Sequence, residues 1–386
     1  MRFAAFTTVA ESAGEATNAA DLLDNLRQET VLAEELGYEA MWLGEHHFGP
    51  YQAGDIPNPI LLGADLAART SRIRIGQMAN IAPWWHPVRL AEDVAILDNL
   101  TRGRIEVGFG RGIWPYEGPQ FHPNADPRRD KENRVLFRET IEVAREIWTN
   151  EYFSYRGENY NFPAEDTRFS HPLYPPDPAW LEGDRVTKLR VTPRPYQKPH
   201  PPLWMTVSTD RSVTTAAELG LKACYWQPPA LRIKQRMELY AEVRSQRDGR
   251  LFSFGEDQAV MRTTYVASSM EQARREGEEG VMSGFVYNDP FRGRQVFTNP
   301  GEEVDPGTKL DWDFLEPRGT LLVGSPENVI EKVHELQEVC NLDYLIVAYS
   351  HSGISLNKTL KNMETFATKV MPWFSKKEAR TPVAAS

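Results

Sequence analysis

Glu45, His46 and His47 end an apolar run and precede a turn in the stretch MWLGEHHFGP, residues 41–50. An imidazole in such a position can move or stabilise a proton near neutral pH, and a carboxylate can fix its tautomer. Successive side chains of a strand point to opposite faces, so the two histidines would not share one metal ion. Because the sequence also lacks HExxH and CxxC spacings, we predict no metal site. The alternative to proton chemistry is a polar strand end whose histidines bond to the backbone.

Short apolar strands alternate with amphipathic helices along most of the chain. The helices carry apolar residues at helical spacing, as Leu90, Val94 and Leu97 do. Eight such alternations predict parallel strands joined by crossover helices. In a chain of 386 residues this pattern favours a (β/α)8 TIM barrel with insertions over an open doubly wound sheet. The predicted strands are residues 2–8, 39–44, 73–80, 104–110, 201–208, 221–226, 259–267 and 343–350.

Two regions interrupt this alternation. Residues 149–200 are rich in Pro, Tyr and Asn, which predicts a hairpin and an ordered loop. Residues 283–320 form a second predicted insertion, and a loop of that length is often a lid or a binding element. Since no linker divides the chain, we predict one barrel domain over residues 1–375. Residues 376–386 are predicted to be a flexible tail.

Composition excludes several classes of protein. The net charge of −10 argues against an exposed nucleic-acid surface. Cys224 and Cys340 are isolated, which predicts reduced thiols rather than a disulfide framework. The N-terminal stretch lacks the features of a signal peptide, and no apolar run is long enough to span a membrane. We therefore predict a cytoplasmic protein that binds neither membranes nor nucleic acids.

Three motifs, in their order along the chain, resemble the bacterial luciferase-like, flavin-dependent monooxygenase family. They are GEHHFGPY, NIAPWWHPVRLAEDVAILDNLTRGRIEVGFGRG and GTLLVGSPENVIEKVHEL. The resemblance covers most of the chain outside the two insertions. It implies a luciferase-like barrel that binds reduced FMN (FMNH2) at the carboxyl ends of its strands. It also implies that O2 forms a flavin peroxide that oxidises a small organic substrate. Further implied are a separate NAD(P)H-dependent flavin reductase, as in two-component systems, and a homodimer.

The resemblance assigns roles near the flavin ring. His46 matches the family histidine that acts beside the ring, so it is the predicted catalytic residue. His47 is expected to orient the loop, and Glu45 to hold a histidine tautomer. The family runs the backbone of Met78, Ala79 and Asn80 past the flavin, sometimes with a cis peptide.

The resemblance also places the phosphate. Arg111 in GFGRG matches a family arginine near this group, and a guanidinium grips phosphate oxygens in bidentate fashion. The alternative for Arg111 is a surface ion pair. Ser208 and Thr209, with Arg211, precede a predicted helix whose amino end suits an anion. Simple helix capping would also explain these hydroxyls.

Aromatic residues at predicted strand ends and loops are candidates for an apolar substrate pocket. The predicted pocket residues are Trp84, Trp114, Tyr116 and Trp226, with Trp85 and Trp204 in the same group. A carbonyl substrate is favoured, since a nucleophilic peroxide suits it. Two alternatives remain open: a dehydrogenase that uses the deazaflavin coenzyme F420 on the same barrel, and a non-catalytic flavin-binding protein.

Overall fold

The computed structural model of the chain describes residues 1–8, 18–49, 56–305, 307–349 and 351–375. Its strands are β1 Arg2–Thr7, β2 Ala40–Leu43, β3 Arg74–Ile81, β4 Ile105–Gly110, β5 Tyr155–Arg156, β6 Asn161–Phe162, β7 Leu181–Glu182, β8 Arg185–Val186, β9 Leu203–Val207, β10 Lys222–Trp226, β11 Gln258–Val266, β12 Leu321–Gly324 and β13 Tyr344–Ala348.

Helices connect these strands. They are α1 Ala19–Glu35, α2 Pro59–Ala68, α3 Pro87–Thr101, α4 Asp130–Thr149, α5 Asp210–Leu219, α6 Ala230–Asp248, α7 Met270–Arg292, α8 Trp312–Leu315, α9 Pro326–Cys340, α10 Leu356–Thr365 and α11 Pro372–Ser375. Short 3₁₀ helices cover Ala82–Trp84, Gly118–Gln120, Pro123–Ala125, Arg294–Phe297 and Glu316–Arg318, and a π-helix covers Phe366–Val370.

Eight strands correspond to the eight predicted strands, and helices follow them along the chain. They are β1, β2, β3, β4, β9, β10, β11 and β13. The fold is a (β/α)8 barrel, which confirms the predicted class. Strand β12 was not predicted. It has four residues and pairs in parallel with the second half of β11.

The described residues divide into two compact units. Unit 2 comprises the described residues of 42–50 and 55–206. Within it, β3 pairs in parallel with β4, and β4 with β9. The predicted apolar face of α3 is buried, since Leu90, Val94 and Leu97 are at most 1% exposed. Residues 150–200 of this unit contain two antiparallel pairs, β5 with β6 and β7 with β8.

Unit 1 comprises the described residues of 1–41 and 207–375. Within it, β1 pairs in parallel with β13, β13 with β11, and β11 with β10. Parallel pairing brings the carboxyl ends of these strands to one edge of the unit. In barrels, that edge carries the ligand sites. Whether residues 1–375 behave as one domain stays a prediction, and residues 376–386 lie outside the described residues.

Helix α7 is longer than the sequence pattern indicated. Residues 283–292, which we assigned to the second insertion, are helical. Val281 and Phe285, one helical turn apart, are buried in a cluster with Phe297 and Trp312. This packing extends the apolar face of α7 into the predicted insertion, and the helix ends before Gly293.

Cys224 and Cys340 are buried free thiols, as the sequence predicted. Desolvation by burial raises the pKa of each to about 12, so neither is a reactive thiolate near neutral pH. Among the described helices, none combines the length and the apolar composition needed to cross a bilayer.

Candidate functional site

The His46 ring lies against a buried carboxylate and an indole in unit 2. Its Nδ1 is 3.4 Å from Glu117 Oε1, at the long end of hydrogen-bonding distance. The ring stacks on Trp114 with centroids 3.8 Å apart and planes inclined by 21°. The Glu117 side chain is fully buried, and its Oε1 also accepts the backbone N–H of His47 at 2.7 Å. Glu117 therefore engages Nδ1 of His46, and Trp114 covers one face of its ring.

The loop after β4 brings these partners to His46. It begins at Arg111, passes through Gly112 with a φ of +82°, and places Trp114 and then Glu117 beside the end of β2. Gly118 lets the loop turn tightly, because a Cβ there would meet Ala125 O at 2.1 Å. Glu117 was not among the residues predicted from the sequence. The only available signal was a carboxylate six residues beyond Arg111, in GRGIWPYEGP.

Glu45 is the centre of a second polar network. Its Oε2 accepts the Ile81 backbone N–H at 2.6 Å, its carboxylate accepts Trp85 Nε1–H at 3.0 Å, and His47 Nε2 lies 3.1 Å from its Oε1. Desolvation by burial raises the pKa of Glu45, although these hydrogen bonds act in the opposite direction. The two adjacent histidines therefore contact different carboxylates. In the described ranges, no group of three or more His, Cys, Asp or Glu side chains is arranged to hold a metal ion.

We expect Glu45→Ala to lower the free energy of unfolding by about 2–4 kcal/mol, because it leaves buried N–H donors without acceptors. Glu45→Gln keeps one acceptor oxygen for Ile81 and Trp85 and should lose less than half as much. Urea unfolding monitored by circular dichroism measures both. Equal stability of Glu45→Ala and wild type would contradict this account of the network.

Arg111 forms an ion pair in this structure. Its NH1 lies 3.1 Å from Asp130 Oδ1, and Arg134 Nε donates to the other oxygen of Asp130 at 3.0 Å. Burial opposes ionisation of Asp130, but the hydrogen bond from Arg134 and the charge of Arg111 lower its pKa overall. The buried NH1 of Arg134 has no partner among the residues that the structure describes. Two guanidinium groups thus share one carboxylate, and the open NH1 of Arg134 is a donor suited to an anion.

The other predicted phosphate residues lie at the start of α5 in unit 1. Thr209 is the N-cap of this helix, and its Oγ1 accepts the Ser212 N–H at 3.2 Å. The backbone N–H groups of Ser208 and Thr209 both donate to Ser212 Oγ at 3.0 Å. Arg211 is exposed. The capping alternative therefore describes the hydrogen bonds present, and an anion role for the three predicted residues stays a prediction.

The carboxyl end of β3 carries unsatisfied polar atoms. The Met78–Ala79 peptide is cis, a feature that the resemblance gave for this strand. Gln77 and Asn80 on either side are fully buried, yet Gln77 Nε2 and Asn80 Oδ1 have no partner among the described residues. Buried polar atoms are nearly always paired. Gln77 Nε2 faces α2, 3.8 Å from where a Cβ on Gly63 would stand, so the Asn80 acceptor is the atom here that a polar ligand could meet.

Aromatic rings surround the two histidines. Trp84 stacks on Phe121 with centroids 5.5 Å apart, and both rings meet His47 edge-on. Trp114 stacks in turn on Tyr116 at 6.0 Å. These contacts bring Trp84, Trp114 and Tyr116 to the His46–His47 segment. An apolar substrate pocket lined by these three residues, as predicted, requires this proximity.

The remaining tryptophans have other surroundings. Trp204 is fully buried in the core, where its Nε1 donates to Glu106 and its ring meets Trp42 edge-on. Trp226 belongs to unit 1 and contacts Phe6.

The family model described as luciferase-like monooxygenase matches residues 1–340. Among curated proteins, the oxygenase component of a flavin-dependent trigonelline monooxygenase from Acinetobacter baylyi is 25% identical over 381 residues. The alignment spans 97% of this chain and 96% of that protein.

Two solved structures share the fold. One is the oxygenating constituent of 3,6-diketocamphane monooxygenase from Pseudomonas putida, a type II Baeyer-Villiger monooxygenase in complex with FMN. It has a TM-score of 0.74 at 23% identity, covering 96% of this chain and 98% of that chain. The other is an F420-dependent secondary alcohol dehydrogenase in complex with an F420-acetone adduct. Its TM-score is 0.66 at 13% identity, with the same coverage of 96% and 98%.

Proposed function

Because the chain belongs to the luciferase-like monooxygenase family, we propose that it uses reduced FMN and O2 to oxidise a small, largely apolar carbonyl compound. The observation that carries this proposal is the buried Glu117 carboxylate beside His46, whose ring is fixed by stacking on Trp114. A positioned imidazole of this kind can take up or deliver a proton during oxidation. Reduced FMN, when bound, supplies the electrons that activate O2.

The chain's own residues have separate tasks in this proposal. Glu117 faces His46 Nδ1, so Nε2 is the ring nitrogen left to exchange a proton with the reactants. Trp84, Trp114 and Tyr116 provide apolar walls that exclude water. Asn80, with Met78 and Ala79, is proposed to line the flavin ring, and its Oδ1 has no partner among the described residues.

Arg111 is the proposed phosphate residue in unit 2, assisted by Arg134. We expect Arg111→Ala to weaken FMN binding by about 10- to 100-fold, since charge-assisted hydrogen bonds to phosphate are lost. Riboflavin, which has no phosphate, should bind both proteins equally. Flavin fluorescence titration measures both ligands, and Arg89→Ala, on the exposed face of α3, is the matched control. An equal loss for both flavins would remove the phosphate assignment, and Ser208, Thr209 and Arg211 would then be tested in the same way.

The test of the overall proposal is oxygen consumption by the full chain supplied with reduced FMN over a panel of aldehydes, ketones, alkanes and sulfonates. We expect carbonyl compounds to yield a product with one added oxygen atom. Oxygen uptake that yields only hydrogen peroxide with every compound would contradict the proposal and favour a flavin-binding protein without this activity.

The F420-dependent dehydrogenase with the same fold makes hydride transfer the second candidate reaction. Such an enzyme would bind the deazaflavin more tightly than FMN and would turn over secondary alcohols without O2. Parallel titration with FMN and coenzyme F420, followed by anaerobic turnover, separates the two reactions.

The proposed partner is a separate NAD(P)H-dependent flavin reductase that supplies the reduced FMN. Chemically reduced FMN should therefore replace the reductase in the oxygen assay. A homodimer is also proposed, and light scattering of the purified chain measures it.

A further inference from the structure

The guanidinium of Arg292 lies over an aromatic ring in unit 1. Arg292, the last residue of α7, places its Cζ atom 5.1 Å from the centroid of the Trp226 ring. Trp226 ends β10, and its ring meets Phe6 edge-on at 5.6 Å. Over the residues described, Arg292 has neither a hydrogen-bond acceptor nor a carboxylate partner.

The charged groups near the end of α7 are already committed. Asp289, three residues before Arg292, lies 3.2 Å from Arg294. Desolvation lowers the pKa of Arg292 to about 10. Arg292 is partly buried, and no described carboxylate offsets the cost of that partial burial, which the helix C-terminus relieves only in part. An anionic ligand paired with the Arg292 guanidinium would remove this cost.

The residue after Trp226 also has an unmet polar atom. Gln227 is 3% exposed, and its Nε2 donates to Thr263 Oγ1 at 2.7 Å. Its Oε1 has no partner among the described residues. An open amide oxygen pairs with a donor such as a hydroxyl or N–H and not with a carboxylate, so the case for an anion depends on Arg292 and its place in the fold.

The position in the fold agrees with this indication. Phe6 lies near the carboxyl end of β1 and Trp226 at that of β10. Both strands are linked through parallel pairing with β13 and β11, so their carboxyl ends lie at one edge of unit 1. That edge is where barrels bind ligands.

We propose that Arg292, Trp226 and Phe6 form a binding subsite for a small organic carboxylate. The guanidinium pairs with the two carboxylate oxygens in a fork geometry, and the two rings contact the apolar body of the ligand. All three residues belong to unit 1 and His46 belongs to unit 2, so the subsite stands or fails separately from the proposed monooxygenase activity.

Benzoate and benzamide test the subsite, because they share an aromatic ring and differ in the charge of one substituent. We expect isothermal titration of the flavin-free full chain to show benzoate bound at least about tenfold more tightly than benzamide. Arg292→Gln should abolish the difference, and Arg292→Lys, which keeps the charge but not the fork, should retain part of it. Arg275→Gln removes an exposed charge from the same helix and should change nothing. Circular dichroism confirms that each variant is folded.

Three results would overturn the proposal. The first is wild-type protein that binds neither compound or binds both equally. The second is Arg292→Gln with full preference for benzoate. The third is Arg292→Gln with weaker binding of FMN relative to riboflavin, which would make the anion at Arg292 the flavin phosphate. Loss of benzoate preference with unchanged oxygen consumption on non-acidic substrates would support the subsite and leave the proposed function intact.

Discussion

His46→Ala should reduce the turnover of substrate by about 10²- to 10⁴-fold, the range that a positioned acid or base contributes. The imidazole stacks on Trp114 and faces Glu117, so its removal takes away the proton-exchanging group and leaves the polar atoms at the end of β3 in place. FMN affinity should therefore change by less than about threefold, well within one order of magnitude. Product formation with supplied reduced FMN, measured beside flavin titration, separates the two effects.

His171→Ala is the control, since His171 is an exposed histidine in the region between β6 and β7. Product formation in His46→Ala equal to that of wild type would reject the catalytic role. A loss of flavin binding as large as the loss of turnover would instead assign His46 to the cofactor site alone.

Glu117→Gln should lower kcat by roughly 10- to 100-fold while KM stays nearly constant, because a charged partner of His46 is replaced by a neutral one. The variant keeps an oxygen that can accept the His47 backbone N–H, so the loop should keep its position. Glu117 is thus a positioning residue that acts through His46. Steady-state kinetics with thermal unfolding distinguishes this role from a structural one.

If Glu117 had only a structural role, Glu117→Gln would have the kcat of the wild type, because the hydrogen bond to His47 is retained. The matched control is Glu139→Gln, which changes another buried carboxylate of unit 2 that accepts backbone N–H groups, those of Glu158 and Asn159. Turnover should be unaffected in Glu139→Gln. The double variant His46→Ala with Glu117→Gln should be no slower than His46→Ala, since Glu117 acts on turnover through His46.

The sequence by itself determined the order of the eight barrel strands and the position of His46 at a strand end. Each of these depends on residues that are neighbours along the chain. Helical spacing of apolar residues reports the face of α3 that is buried, and the short apolar run of β4 is buried on both faces, as a strand inside a parallel barrel is. The family motifs lie on the same elements, so their order also follows from the chain alone.

Only the tertiary structure decided the partners of these residues. Glu117 is 71 residues from His46 in sequence, and the path of the loop after β4 brings them together. In the same way, Arg111 is paired with Asp130, Trp204 is enclosed in the core, and Arg292 lies over Trp226. Local patterns cannot specify such contacts, because each depends on how several distant elements pack and on which charges that packing leaves uncompensated.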